Sequence, residues 1–437
     1  MRKLLLPAAL TAALLLTPAA SADVTGISVT AVSDIGRFDG KPYREAALQV
    51  HGTAPAGPYS VPAVLSYPAR ASDANGFALV EPYNTVPFWF PDPRLPAGPF
   101  ANTRLVLGDA YIFGGGNVHL AVLWDERAME QRGEGFMSAG SDGYEVLRDA
   151  SALVRSPGSM PYPRGFRRPP AAPTVVATGY SGSSNLLRDF YLNGENSREG
   201  TTFDGALLAA PNATCASPAA PVAFYHCPGV LSGGGKVLVV NTEADVEFAG
   251  FTERGRTASY RVQELAGIAH IPSSIFDWRE LKPDQNPVSG SPAFRAAHRN
   301  LLRWMKGGPA PENRYLALEA VPPVDLGGFP FVPALRDADG NAVGGIRLPH
   351  MPSSWHGKPA GAPLGAYTGL DFDTLDPFFF LAGTFRPFSR ARLNELYPTR
   401  KVYVHRVRRA ANRLFAERHI LRSDRDAYIE AAKDANP

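Results

Sequence analysis

The strongest constraint on the fold is a junction between a buried strand and a helix, PTVVATGYSGSSNLLRDFYLNG at residues 173–194. Small and β-branched residues from Thr174 to Thr178 predict a strand buried on both faces. Apolar residues at helical spacing follow directly after Gly179-Tyr180-Ser181-Gly182-Ser183. A strand, a Gly-x-Ser-x-small turn and a helix form the context of a nucleophile elbow. The pattern predicts an α/β fold that displays the Ser181 hydroxyl above the carboxyl edge of a mostly parallel sheet.

Further apolar runs support this fold class. Buried strands are predicted at residues 118–125, 204–211, 236–241 and 260–267, and helices at 146–154 and 293–305. Strands that alternate with helices imply a parallel sheet flanked by helices. After about Pro309 the chain becomes rich in Pro and Gly, and a helical pattern returns from about Lys401. We therefore predict a core domain at residues 23–309 and, packed on it, a loop-rich and helical C-terminal extension at 310–437.

The first 22 residues have the layout of a secretory signal peptide, with a basic start, an apolar run from Leu4 to about Leu16 and small residues at Ala20-Ser21-Ala22. The apolar run is too short for a membrane span. We expect a soluble exported protein, periplasmic or extracellular. Removing the two basic residues of the leader takes the 44 Lys and Arg to 42, against 41 acids. This balance indicates neither a nucleic acid nor an anionic membrane as a partner.

Cys215 and Cys227 are the only cysteines, and they are close in sequence. In an exported chain this predicts a disulfide that closes a small loop at about residues 212–232. Two free thiols are the alternative. Two cysteines alone make a poor metal site, and we expect neither a metal nor a cofactor.

A serine nucleophile in this context needs an acid and then a histidine later in the chain. His270 lies in a loop, AGIAHIP, after a predicted strand, and we predict that it is the base. A structural loop histidine and an ordinary helix-start serine are the alternative interpretations of His270 and Ser181. The acid is expected in NTEADVEF. Glu243 is preferred because it follows the apolar run by two residues, and Asp245 is the close alternative because strand ends are uncertain by a few residues.

The oxyanion of the reaction needs backbone donors. The N–H of Gly182, at the start of the helix, is the first candidate. The second is the N–H of Asn84 or Thr85, in the loop VEPYNTVPFWF after the third core strand. Three aromatic residues of this loop are candidates for a pocket wall, for core packing or for a partner surface: Phe88, Trp89 and Phe90. For the apolar segment DPFFFLAGTFRPF, residues 376–388, we favour buried packing of the extension over a rim of the cleft.

These motifs resemble those of a family of bacterial proteins known as alpha/beta hydrolase domain-containing proteins. The similarity lies in TGYSGSSNLLRDFYLNG, NTEADV and ELAGIAHIP, and it continues in VPALRDADGNAVGGIRLPHMPSSW and FLAGTFRPFSRARLNELYPTR. It implies an α/β-hydrolase core with Ser181 as nucleophile, an acid within NTEADV and His270 as base. The family tends to have Gln and then Gly after the nucleophile, where this chain has Gly182 and Ser183. That difference bears on substrate preference more than on catalysis.

The expected function is hydrolysis of a carboxylic ester, small or polymeric, through an acyl-enzyme intermediate. An amidase, a peptidase or a polyester depolymerase with the same triad is one alternative. A binding module of the hydrolase fold without catalysis is another. The preference for an ester rests on analogy at the level of the fold.

Overall fold

The computed structural model describes residues 23–55, 57–86, 94, 101–125, 142–218, 220–435 and 437. The predicted signal peptide at 1–22 and the aromatic residues Phe88, Trp89 and Phe90 lie outside the described residues. Among the residues described, no helix is both long and apolar enough to cross a membrane.

The first eleven strands of the chain supply the central sheet and one hairpin. They are β1 (Val24–Phe38), β2 (Lys41–Ala54), β3 (Gly57–Pro68), β4 (Phe77–Pro82), β5 (Val118–Val122), β6 (Thr174–Tyr180), β7 (Gly205–Ala209), β8 (Thr214–Ser217), β9 (Ala220–His226), β10 (Lys236–Thr242) and β11 (Tyr260–Leu265). Nine of them form one sheet in the order β1-β2-β3-β5-β4-β6-β7-β10-β11. Neighbours pair antiparallel from β1 to β5 and parallel from β5 to β11. The predicted mostly parallel sheet is confirmed.

Helices cover both faces of the parallel strands. They are α1 (Asn102–Leu107), α2 (Asp109–Gly114), α3 (Asp142–Arg155), α4 (Gly182–Leu192), α5 (Glu243–Glu247) and α6 (Ser291–Met305). In β6, Val175 and Ala177 belong to the apolar cluster that contains α3 and α4 residues, whereas Val176 belongs to the cluster of α1, α2 and α6. Successive strand residues point to opposite faces, so each face of β6 is buried under its own helices. This double burial explains the continuous apolar run in the sequence.

The strands β8 and β9 form an antiparallel hairpin outside the sheet. A disulfide between Cys215 and Cys227 closes the hairpin, which confirms the predicted bridge. The Asn185 side chain of α4 donates to the carbonyls of Pro211 and Thr214, each at 2.8 Å. The hairpin is therefore held against the helix that follows the elbow.

The chain beyond residue 309 consists of short hairpins followed by helices. The elements are β12 (Val324–Asp325), β13 (Pro330–Phe331), β14 (Ser353–Trp355), β15 (Lys358–Ala360), β16 (Gly365–Thr368), α7 (Pro377–Leu381), β17 (Thr384–Pro387), α8 (Arg390–Leu396), α9 (Arg400–Ala416) and α10 (Arg422–Asp434). Ile346, Leu348 and Leu414 are buried in the same apolar cluster as Phe294 and Leu301 of α6. The core continues across residue 309, and the division of the chain at that position stays a prediction.

Candidate active site

The turn between β6 and α4 has the geometry of a nucleophile elbow. Ser181 has φ 58° and ψ −128°, a combination that L-residues rarely adopt. Its N–H donates to the Ala209 carbonyl (3.0 Å), and its own carbonyl accepts from the Asn185 N–H (3.0 Å). A Cβ on Gly179 would lie 2.8 Å from backbone atoms of Ser183 and Ser184. Only glycine fits at that position, and the tight turn leaves the serine side chain at the carboxyl end of β6.

His270 lies in the loop after β11 and reaches the serine. Its Nε2 is 2.8 Å from Ser181 Oγ, and the side chain is almost fully buried. The Tyr180 hydroxyl donates to the His270 carbonyl at 2.5 Å, and the two rings lie 5.5 Å apart. Burial, and then the charge of Asp245, raise the pKa of Tyr180 well above its ordinary value, so the phenol remains a donor. The residue before the serine thus fixes the backbone of the histidine.

Asp245 contacts the other nitrogen of the imidazole. Its Oδ1 is 2.6 Å from His270 Nδ1, and its Oδ2 accepts from the Thr242 N–H (2.9 Å) and hydroxyl (2.6 Å). Thr242 is the N-cap of α5 and Asp245 its third residue, so the two form a capping box. The box fixes the carboxylate. When the Nδ1–H group donates a hydrogen bond to Asp245, Nε2 carries no proton and can accept a hydrogen bond from the Ser181 hydroxyl.

The preferred choice of Glu243 as the acid that contacts His270 is wrong. Glu243 is fully buried, and its carboxylate accepts from the N–H of Gly267 (2.6 Å), the N–H of Gly369 (3.0 Å) and Arg336 Nη2 (2.8 Å). Residues two apart on a helix point to different sides, so Glu243 and Asp245 cannot both face the histidine. The signal in the sequence is Thr242-x-x-Asp245, a capping box directly after a buried strand.

The candidate oxyanion donors lie beside the serine. Gly182 is the first residue of α4, and a Cβ on it would lie 2.9 Å from both Asn84 Oδ1 and Val86 Cγ2. Asn84 and Thr85 are buried, and Asn84 Oδ1 accepts from the Val86 N–H (3.0 Å). The loop after β4 therefore packs directly on the start of α4. The roles of Gly182 and of Asn84 or Thr85 as backbone donors stay predictions.

A cavity opens beside Ser181 and His270, and we call it the Ser181 cavity. Its apolar lining comes from Val86, Ile271, Ile275, Phe276 and Phe378. Phe378 belongs to DPFFFLAGTFRPF; it lines the cavity and also packs on the apolar cluster of Ile271, Trp278 and Ala382, so both interpretations of this segment hold for the residue. Sequence reasoning did not single out Ile275 or Phe276, although both follow His270 within six positions in IPSSIF.

An elbow serine that is hydrogen-bonded to a histidine, on a mostly parallel sheet covered by helices, defines the α/β-hydrolase class. The chain matches the family described as "Alpha/beta hydrolase domain" over residues 131–430, more than half of its length, and it belongs to that family. The resemblance seen in the sequence is confirmed.

Several solved structures of esterases are similar to the chain. The ligand-bound form of the rice cell wall degrading esterase LipA from Xanthomonas oryzae has 12% identity and a TM-score of 0.27, over 43% of this chain and 50% of that chain. A glucuronoyl esterase from Solibacter usitatus has 14% identity and a TM-score of 0.29, over 52% of this chain and 69% of that chain. Brefeldin A esterase, a bacterial homologue of human hormone sensitive lipase, has 11% identity and a TM-score of 0.26, over 49% of this chain and 63% of that chain.

The chain spans about half the length of the LipA structures that it matches. No curated protein matches the sequence.

Proposed function

We propose that the protein is a serine hydrolase that acts on carboxylic esters. The observation that carries the proposal is the unbroken chain of contacts from Ser181 Oγ to His270 Nε2 (2.8 Å) and from His270 Nδ1 to Asp245 Oδ1 (2.6 Å). The serine stands at an elbow, and each partner has a second contact that fixes it. Membership of the α/β-hydrolase family supports the same reading.

The geometry fits acyl transfer through a covalent intermediate. His270 Nε2 takes the proton of the Ser181 hydroxyl as Oγ attacks the carbonyl carbon of the ester. Asp245 holds the Nδ1–H tautomer and stabilises the imidazolium that forms. His270 then gives the proton to the leaving alcohol, and an acyl-enzyme remains. A water molecule, activated by the same histidine, releases the acid and restores the serine.

Backbone N–H groups stabilise the oxyanion in this scheme. Gly182 supplies one group at the N-terminus of α4, and the loop at Asn84 and Thr85 supplies the other. Fixed donors in a site from which water is excluded stabilise a developing charge without reorganisation, and one such donor contributes about 10²–10³ in kcat. The substrate is a small-molecule or polymeric ester.

We also propose that the protein is exported and processed near Asp23. The Cys215–Cys227 disulfide supports an oxidising compartment, periplasmic or extracellular. N-terminal sequencing of the protein recovered from periplasm and medium tests this proposal. A mature chain that retains residues 1–22 would contradict it.

Labelling of the purified mature protein with a fluorophosphonate probe tests the catalytic proposal. We expect the wild type to label and to hydrolyse 4-nitrophenyl butyrate, and Ser181→Ala and His270→Ala to do neither. Ser141→Ala, in the motif Ala139-Gly140-Ser141-Asp142-Gly143, is the matched control and retains both activities. A folded wild type that remains unlabelled would refute the proposal and favour the binding module.

A further inference from the structure

Apart from the catalytic pair, the polar residues described in the wall of the Ser181 cavity are Asn84, Asn102 and Tyr180. Among the described residues that line it there is no Asp, Glu, Lys or Arg. Two amides do line it, but the Asn102 side chain donates to the Tyr180 carbonyl (2.9 Å), and Asn84 Oδ1 accepts from Val86 N–H (3.0 Å). Both amides therefore hold backbone in place.

An arginine packs on the ring of Phe378 in this wall and is paired with a carboxylate. Arg94 Nη2 is 2.8 Å from Asp376 Oδ2, and the guanidinium lies over the ring of Phe379 at 4.5 Å and that of Phe378 at 5.5 Å. A carboxylate on a substrate would compete with Asp376 for this arginine and would lose its own hydration in the process.

The aromatic part of the wall is buttressed. The ring of Trp278, which is almost fully buried, lies 5.9 Å from that of Phe276 and 6.3 Å from that of Phe378. Asp376 caps α7 by accepting from the N–H groups of Phe378 (2.9 Å) and Phe379 (3.0 Å). The C-terminal extension thus places Phe378 at the cavity through a capped turn and an edge-to-face contact with Trp278.

We infer that the Ser181 cavity binds a neutral, apolar group of the ester, and that Phe378 sets this preference. The inference rests on the proposed ester hydrolysis and names its substrate class. Burial of each additional methylene raises kcat/KM by about fourfold until the cavity is full. A carboxylate at the same position has no hydrogen-bond partner among the apolar side chains and costs at least about tenfold.

Two series of esters test the inference by pH-stat assay. One series lengthens the acyl group, from ethyl acetate through ethyl butyrate to ethyl hexanoate, and the other lengthens the alcohol, from ethyl to hexyl acetate. Monoethyl adipate and 6-acetoxyhexanoate place a carboxylate at the end of each long chain. We expect kcat/KM to rise with length in at least one series and its carboxylate counterpart to fall at least about tenfold below the neutral ester. A flat response in both series, or equal rates for the carboxylates, would overturn the inference.

Variants assign the preference to Phe378. Phe378→Ala should reduce kcat/KM for the longest preferred ester by about tenfold and reduce that for ethyl acetate by a smaller factor. For Phe378→Leu, which retains apolar volume, kcat/KM for the longest preferred ester should lie between the values of Phe378→Ala and the wild type. The matched control is Phe372→Ala, because Phe372 lies near α7, is 59% exposed and packs on Phe331 and Phe380. A length response that is the same in Phe378→Ala and wild type would remove Phe378 from the proposal.

Labelling separates this inference from the proposed function. A wild type that neither labels with fluorophosphonate nor hydrolyses any ester refutes the proposed function itself. A wild type that labels and hydrolyses ethyl acetate, but shows no preference for apolar groups, refutes only the inference about the cavity.

Discussion

The two faces of α5 put similar carboxylates to different uses. Asp245 faces the elbow and contacts His270, whereas Glu243 and Glu247, four residues apart, face the C-terminal extension and both accept from Arg336. All three carboxylates are almost fully buried. Burial and residue type therefore do not distinguish the acid proposed for catalysis from its neighbours. The hydrogen-bond partner of each carboxylate distinguishes them.

The carboxylate of Glu243 acts as a tie between segments. It joins Gly267, three residues before His270, to Gly369 and Arg336 of the extension. Three donors occupy its oxygens, so the contacts of Glu243 stabilise the fold around the histidine loop. We expect substitution of Asp245 to lower kcat, and substitution of Glu243 to lower the free energy of unfolding.

The largest expected effect is that of Asp245→Asn. The amide no longer favours the Nδ1–H tautomer of His270 or stabilises the imidazolium, so kcat for ester hydrolysis should fall about 10⁴-fold. An asparagine still accepts one hydrogen bond from Thr242, and the fold should persist. Steady-state kinetics and circular dichroism check both expectations. Retention of a tenth or more of wild-type kcat would show that Asp245 is not the acid.

Glu243→Gln reverses this pattern. It removes one charge from a buried ion pair and turns an amide N–H₂ toward groups that are themselves donors, so the free energy of unfolding should fall by about 3–4 kcal/mol. The value of kcat per labelled active site should stay within about tenfold of wild type. Urea denaturation together with active-site titration measures the two quantities. A loss of kcat as large as that of Asp245→Asn, at unchanged stability, would return the catalytic role to Glu243.

Arg336→Met tests the same contact from the side of the arginine. Without the guanidinium, the buried side chains of Glu243 and Glu247 lose the cation that they share, and we expect a loss of about 3 kcal/mol in the free energy of unfolding at pH 8. The double variant with Glu243→Gln should lose less than the sum of the single variants, because each single change leaves an unpaired partner. Additive losses would show that the contact between Arg336 and Glu243 contributes little.

The sequence allows the prediction of those features that local patterns determine. Apolar runs identify the parallel strands, and the tight turn with Gly179 identifies Ser181 as the displayed residue. His270 follows from its place after β11. Each of these signals lies within one strand, turn or loop, where backbone sterics and period-two burial act directly.

Features that depend on where an element ends, or on contacts between distant segments, are harder to predict. Strand β10 continues to Thr242, so Glu243 begins a helix, and the sides of α5 are then fixed by helical periodicity. Nothing local to Phe378 indicates that it reaches the Ser181 cavity, because tertiary packing of the extension brings it there. The capping box at Thr242 is the one local signal that distinguishes Asp245 from Glu243.

The remaining expected effect is a pH dependence; it concerns Glu247 and sharpens the contrast between the two faces. Burial, and then the charge of Glu243, raise its pKa from the ordinary 4.5 to about 8, against the opposing pull of Arg336 and the Ala334 N–H. A folded-state pKa above the unfolded one means that the unfolded state loses this proton first as pH rises. The stabilisation is complete below about pH 4.5 and is lost as the pH approaches 8, with a slope of at most about 1.4 kcal/mol per pH unit.

Glu247→Gln removes this titration, since glutamine resembles the protonated acid. Relative to the variant, the wild type should therefore lose free energy of unfolding between pH 5 and pH 8, as measured by urea denaturation at each pH. Glu280→Gln, at an exposed position, is the control and should follow the wild-type curve. Parallel curves for wild type and Glu247→Gln would contradict the raised pKa of Glu247. Curves that coincide near pH 5 and diverge toward pH 8 would support it, and would set the extension-facing side of α5 apart from Asp245, whose partner is the imidazole of His270.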